Sequence, residues 1–178
     1  MGTTATGGAV GGLRLRPPRP SDEVAFAAIH VAMADEGHEF GLRYDLAASW
    51  SDYLRELADH RCGIDLPAHL VPSTFLVASV DTTIVGRTSI RHRLNDFLAR
   101  EGGHIGYAVA PSQRRRGYAG EILRQSLIIA RAVGVDRVLV TCDDGNVGSA
   151  AVIERCGGVF ESMVTGREGA PKRRYWID

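Results

Sequence analysis

Two periodicities divide the chain. Stretches where apolar residues alternate with polar ones, or run together briefly, predict strands; recurrence every three or four residues predicts helices. Leu13-Arg14-Leu15-Arg16 alternates and predicts a first strand, stopped by Pro17-Pro18. Ser21 stands where a helix cap would, with Asp22 and Glu23 in the first turn. Val24, Ala27, Ala28, Val31 and Ala32 then recur at helical spacing until Gly37 and Gly41 interrupt it. A second helix is predicted from Leu46 to His60, with Trp50, Tyr53, Leu54 and Leu57 on one face, and 63–72 reads as a loop.

Thr74–Val80 and Ile84–Ile90 predict two strands joined by a turn near Asp81, the second running on toward Leu94. Gly103–Ala110 predicts another strand. The strongest helical pattern runs from Arg116 to Val133, with Ala119, Ile122, Leu123, Leu127, Ala130 and Val133 as its buried stripe and Gly134 as its end. Arg137–Thr141 has the apolar centre of an interior strand. A helix over Asn146–Arg155, closed by Gly157-Gly158, and strands over Val159–Thr165 and Arg173–Ile177 complete the pattern. Strands and helices mix without strict alternation, which predicts an α+β fold, a sheet covered by helices. With no repeat and no long linker, residues 13–178 read as a single domain behind a flexible tail at 1–12 rich in Gly, Thr and Ala.

Composition narrows the function classes. The chain of 178 residues is 44% hydrophobic and 24% charged with zero formal net charge, so no nucleic-acid partner is expected. Cys62, Cys142 and Cys156 match no zinc or redox spacing, and His30, His60 and His69 have no metal-ligand spacing. No metal is expected, and buried thiols point to a reducing cytoplasm. No apolar run is long enough for a membrane span, and no signal peptide is recognisable. Met1-Gly2-x-x-x-Thr6 formally matches an N-myristoylation pattern, but the tail composition favours a plain low-complexity segment.

The densest chemistry lies where the strand Gly103-His104-Ile105-Gly106-Tyr107-Ala108-Val109-Ala110 runs through Pro111 into Arg114-Arg115-Arg116-Gly117-Tyr118-Ala119 and the long helix. A helix start offers unpaired N–H groups, Gly117 and Ala119 leave no bulk over them, and three arginines add countercharge. Such a loop suits a pyrophosphate. Arg114-x-x-Gly117-x-Ala119 after a strand resembles the Arg/Gln-x-x-Gly-x-Gly/Ala signature of the GNAT superfamily of N-acetyltransferases. The resemblance extends from about Leu13 to the end. It is strongest to a bacterial subgroup with an Ile-Arg-His-x-Leu-Asn segment (Ile90–Asn95 here) and an Arg-Tyr-Trp-Ile ending (Arg174–Ile177). It implies a central mixed sheet of about seven strands, helices on both faces, and two splayed middle strands, Gly103–Ala110 and Arg137–Thr141, with acetyl-CoA between them.

The resemblance also implies site residues. Arg114, Arg115, Arg116, Gly117, Tyr118 and Ala119 would hold the pyrophosphate, and Ala108 and Val109 would pair with the pantetheine amides as an added strand. Asn146 and Ser149, opening the next helix, would contact the pantetheine arm, though Asn146 or Asp144 could simply cap that helix. His104 stands where many relatives carry a glutamate. Alternation places it on one face with Gly106, Ala108 and Ala110, so its imidazole is a candidate to take the amine proton, against a plain strand-end role. His92 on the neighbouring strand is the other candidate. Either Arg91 or His92 could instead bind an acidic part of the acceptor, and only one of them can face the site. Many relatives place a tyrosine seven residues after the asparagine; this chain has Ile153, leaving Tyr175 or water to protonate the leaving thiolate.

The reading is an acetyl-CoA-dependent N-acetyltransferase acting on a primary amine of a small molecule or protein, by direct transfer in a ternary complex. The carboxylates of Asp35, Glu36, Glu39 and Asp45 would favour a cationic amine, unless that segment is merely a solvated helix end. A homodimer is left open. The alternative is a non-catalytic acetyl-CoA-binding sensor or interaction module, which Ile153 keeps in play. A nucleotide-binding fold of another type would need a Gly-x-Gly-x-x-Gly or Walker motif, which the chain lacks.

Overall fold

The computed structural model describes residues 12–167 and 169–178. The tail and its myristoylation pattern therefore lie outside the described residues, apart from Gly12. Seven strands form one sheet in the order β1-β2-β3-β4-β5-β7-β6. They are β1 (Leu13–Arg16), β2 (Ser73–Val80), β3 (Thr83–Arg91), β4 (Ile105–Val109), β5 (Val138–Asp143), β6 (Val159–Thr165) and β7 (Pro171–Ile177). The helices are α1 (Glu23–Ala34), α2 (Trp50–Cys62), α3 (Tyr118–Ala132) and α4 (Val147–Arg155). Every strand pair is antiparallel except β4 with β5, which run parallel. Helices cover both faces of this mixed sheet.

One face carries α3. Ile122 packs with Leu13, Ala78 and Val85, while Leu123, Leu127 and Ala130 join Ile90, Ile105 and the β5 and β7 side chains. Ser126, absent from the predicted stripe, is also fully buried; its hydroxyl donates to the Ile122 carbonyl and lies 2.9 Å from the Thr88 hydroxyl. Gly86 on β3 makes this packing close. A Cβ there would lie 2.4 Å from the Ala108 carbonyl oxygen and 2.8 Å from Ile122 Cδ1.

The opposite face carries α1 and α2 around an aromatic cluster of Phe26, Phe40, Tyr44, Trp50, Tyr53 and Phe75. That cluster reassigns the buried side of α1. The expected stripe fails, with Val24 84% and Val31 44% exposed, and Phe26 and Met33 are buried instead. One phenylalanine ringed by five aromatic neighbours outweighs several small residues in buried area. Ser21 does not cap α1. The Asp22 carboxylate accepts from the Arg16 guanidinium at 2.6 and 2.9 Å and from the Arg19 N–H at 2.7 Å, tying β1 to the helix start. The second helix begins at Trp50 rather than Leu46, because Ser49 caps it by accepting from the Asp52 N–H. β3 ends at Arg91 rather than running to Leu94, and a single π-helical turn, Leu98–Gly102, precedes β4.

Candidate active site

β4 and β5 are joined at one end only. Their ladder pairs Ile105 with Val140, and beyond that point the strands diverge. Below it the join is tight. The His104 N–H donates to the Leu139 carbonyl at 2.7 Å, and His104 Nδ1 accepts from the Leu139 N–H at 2.9 Å. Gly103 has φ +64°, and a Cβ there would sit 2.6 Å from the Leu139 oxygen, so the chain can pass this point only as glycine. Above the join, β4 has β3 on one side and a gap on the other. The Ala110 N–H and His104 carbonyl bond β3, so alternation turns the Tyr107 and Val109 peptide groups toward the gap.

A cavity of about 1290 Å³ fills that opening, walled by the end of β4, the starts of α3 and α4, and the loop between α1 and α2. The α3 wall presents an uncapped helix start. Gly117 precedes the helix at φ +84°, Arg115 also adopts a positive φ of 64°, and no side chain caps the helix. The first-turn N–H groups are left to solvent or a ligand, at the positive end of a 15-residue helix. A Cβ added at Gly120 would meet nothing within 4 Å, which keeps this wall open.

The α4 wall carries a hydroxyl and an amide. Asn146 Oδ1 accepts from the Ser149 N–H at 2.9 Å, so Asn146 caps the helix and lines the cavity at once. Ser149 Oγ lies 2.9 Å from Tyr107 Oη, and the pair bridges the gap between α4 and β4. Burial pushes the Tyr107 phenol up to about 12 despite the Ser149 hydrogen bond, so it stays protonated at neutral pH.

The residues singled out from the sequence divide cleanly. Ala108, Val109, Arg114, Arg115, Gly117, Tyr118, Ala119, Asn146 and Ser149 line this cavity; Arg116 does not. His104, His92 and Tyr175 are not among its lining residues. His104 is held at the strand junction, where its ring nitrogen is committed to Leu139, and burial together with Arg91 lowers its pKa. His92 follows β3 with Nε2 2.9 Å from the Thr74 hydroxyl, and burial lowers its pKa as well. Tyr175 is 1% exposed on β7 and donates to the Glu154 carboxylate at 3.1 Å. Ile153 is wholly buried in the core.

The acidic loop is also reapportioned. Glu36 is bound to Arg114 at 2.6 Å, and Asp45 accepts from the Ala47 N–H within its own turn. Of the four carboxylates only Glu39 lines the cavity, beside His38. Sequence reasoning missed Tyr107 and Arg87, and β4 alternation alone could not find Tyr107, which sits on the face opposite His104. Cys142 and Cys156 line no part of the cavity, and burial raises both thiols. Among the described residues no helix is long and apolar enough to cross a membrane.

The architecture is shared with solved structures. RimJ from Mycobacterium smegmatis, in complex with CoA-disulfide, is 24% identical over 93% of this chain and 81% of its own, with a TM-score of 0.66. YncA from Salmonella typhimurium, with its cofactor acetyl-CoA, is 16% identical over 94% of both chains, with a TM-score of 0.63. An acetyltransferase from Agrobacterium tumefaciens is 22% identical over 98% of this chain and 96% of its own, with a TM-score of 0.62. No curated protein matches the chain in sequence. The acetyltransferase (GNAT) domain family, however, matches residues 12–159, and the chain belongs to that family of acetyltransferases.

Proposed function

We propose that residues 13–178 act as a single catalytic domain that transfers the acetyl group of acetyl-CoA to a primary amine, directly, within a ternary complex. The observation that carries this reading is the uncapped start of α3 behind Gly117, opening on the same cavity as the Tyr107–Ser149 hydroxyl pair. The first suits the pyrophosphate of CoA, the second a sulfur leaving group. The distance between them is bridged by the open β4 edge, where the Tyr107 and Val109 peptide groups are free to pair with an amide-bearing arm.

Fit supports the cofactor. Arg114 and Arg115 border the helix start, and Gly117 and Gly120 allow close approach to backbone N–H groups. Acetyl-CoA supplies the thioester, and the chain positions it beside the amine. Attack needs a neutral amine, and Glu39 and His38 are the carboxylate and imidazole bordering the cavity on the acceptor side. As the carbon–sulfur bond breaks, electrons collect on sulfur, and the Tyr107–Ser149 pair can donate a hydrogen bond there. A phenol near 12 is too weak an acid to surrender its proton to a thiolate of ordinary pKa near 8.5, so its contribution is a hydrogen bond. The elevated cysteine thiols argue against a covalent acetyl-enzyme.

The test is thiol release from acetyl-CoA in the presence of an amine panel, alongside calorimetry with acetyl-CoA and with a pantetheine fragment lacking the pyrophosphate. Amine-dependent release and weaker fragment binding are expected. Tight acetyl-CoA binding without release for any amine would leave the non-catalytic module. Equal affinity for the fragment would overturn a pyrophosphate site at α3.

A further inference from the structure

Arg87 projects from the middle of the sheet into the cavity with its charge unneutralised. It lies on β3 opposite Ala108 and is 9% exposed. Nη1 donates to the Gly106 carbonyl at 3.1 Å and Nη2 to the Glu39 carbonyl at 3.0 Å, while Nε finds no protein acceptor. No carboxylate lies within ion-pair distance among the described residues; Glu39 contributes only its backbone oxygen. Burial lowers Arg87 to about 10, assisted by Arg91, and burial does the same to Arg91. Both remain cationic at neutral pH. Arg91 lies on the same strand face and likewise has only a carbonyl partner, that of Gly102 at 3.3 Å.

Leaving the Arg87 guanidinium buried against neutral oxygens, with half-buried Arg91 beside it, is costly for the fold. The neighbouring Tyr53 phenol is no counterion, because burial raises its pKa. The rest of the cavity deepens the imbalance. Arg114, Arg115, Arg124 and Arg155 also line it; Arg114 is bound to Glu36 and Arg124 to Glu121, each at 2.6 Å, which leaves Arg87, Arg115 and Arg155 against Glu39. Those four arginines come from the α3 and α4 side that suits the cofactor. Arg87 comes from β3, beside the α1–α2 loop.

We propose that the acceptor is an amine bearing a carboxylate, and that Arg87 binds that carboxylate. The free N–H groups of a planar guanidinium suit a two-oxygen anion. The carboxylate would provide the missing countercharge and place the amine beside Glu39 and His38. This rests on the transfer reading for its chemistry. It adds an acidic group to the amine that the acidic loop was expected to favour.

The test separates binding from turnover. The wild-type protein, saturated with CoA, is titrated with N-acetyl amino acids and with their decarboxylated N-acetylamines, side chain by side chain. At least one acid should bind about tenfold to hundredfold tighter than its matched amine. In Arg87→Met that preference should disappear, with CoA affinity and melting temperature unchanged or higher. In Arg87→Lys it should survive in part. If no acid outbinds its amine, the proposal falls. If Arg87→Met instead melts lower and weakens all ligands equally, Arg87 is structural and the proposal also falls. Preference for the acid without turnover of any amino acid would keep this inference while overturning the transfer reading.

Discussion

The backbone of Leu139 is gripped from both sides by His104, whose N–H donates to its carbonyl and whose Nδ1 accepts its N–H. This exchange closes the apex of the opening between β4 and β5. Since Nδ1 must accept, the imidazole is neutral with its proton on Nε2. His104→Ala would leave the Leu139 N–H buried without a partner and should cost about 1–3 kcal/mol of stability. Asparagine places an acceptor oxygen near the Nδ1 position, so His104→Asn should recover much of that loss. Denaturant unfolding measures both. Turnover per folded molecule should stay near wild type, and a hundredfold loss in a fully folded His104→Ala would return this histidine to the chemistry.

Acid should weaken the fold in two stages. His60, His92 and His104 all have pKa values lowered below 6.5, each mainly by burial. Between those folded values and 6.5 the unfolded chain binds more protons. The stability they provide is complete above about 6.5 and is lost as pH falls through the folded values. Asp22 and Glu121 are lowered chiefly by hydrogen bonds from Arg16 and Arg124, and Glu161, held at about 2, chiefly by one from Arg174. Their contribution is lost in a second, more acidic window, below the ordinary carboxylate range. Unfolding midpoints between pH 8 and pH 3 should show both declines, and His104→Asn should flatten the first.

At the start of α3, Gly117 and Arg115 should respond in opposite ways. Both have positive φ, 84° and 64°. Gly117→Val adds backbone strain of about 1–2 kcal/mol and bulk over the helix N–H groups, so acetyl-CoA affinity should fall more than tenfold by calorimetry. Arg115→Gly removes an exposed charge and relieves a left-handed residue. It should raise the melting temperature slightly and change affinity less than threefold.

The hydroxyl pair offers a test of thiolate stabilisation. Tyr107→Phe and Ser149→Ala should each lower kcat, by up to about a hundredfold, while the acetyl-CoA dissociation constant stays within threefold. Combining them should cost less than the product of the single losses, because both act on one hydrogen bond. Ile153→Tyr should not restore activity to Tyr107→Phe. Ile153 is fully buried, and the larger side chain should overpack the core at a cost of about 1–3 kcal/mol. Steady-state kinetics and unfolding curves separate the two effects.

The sequence by itself determined the strand and helix order, because each element keeps one face dry and writes its period into the chain. It also singled out the loop that borders the cavity, since Arg114 to Ala119 forms a single local structure from strand end to helix start. Tertiary structure decided what depends on residues far apart in the chain. Phe26 became a buried residue of α1 because Phe40, Trp50 and Phe75 converge on it. The ring nitrogen of His104 is taken by the backbone of Leu139, 35 positions away. Tyr107 meets Ser149 on α4, and Arg87 is buried with its Nε unpartnered. Local periodicity tells which face of a strand is dry; it carries no information on which strand or helix end comes to stand opposite, and that choice set the partners of Tyr107, Arg87 and Arg114 in the cavity.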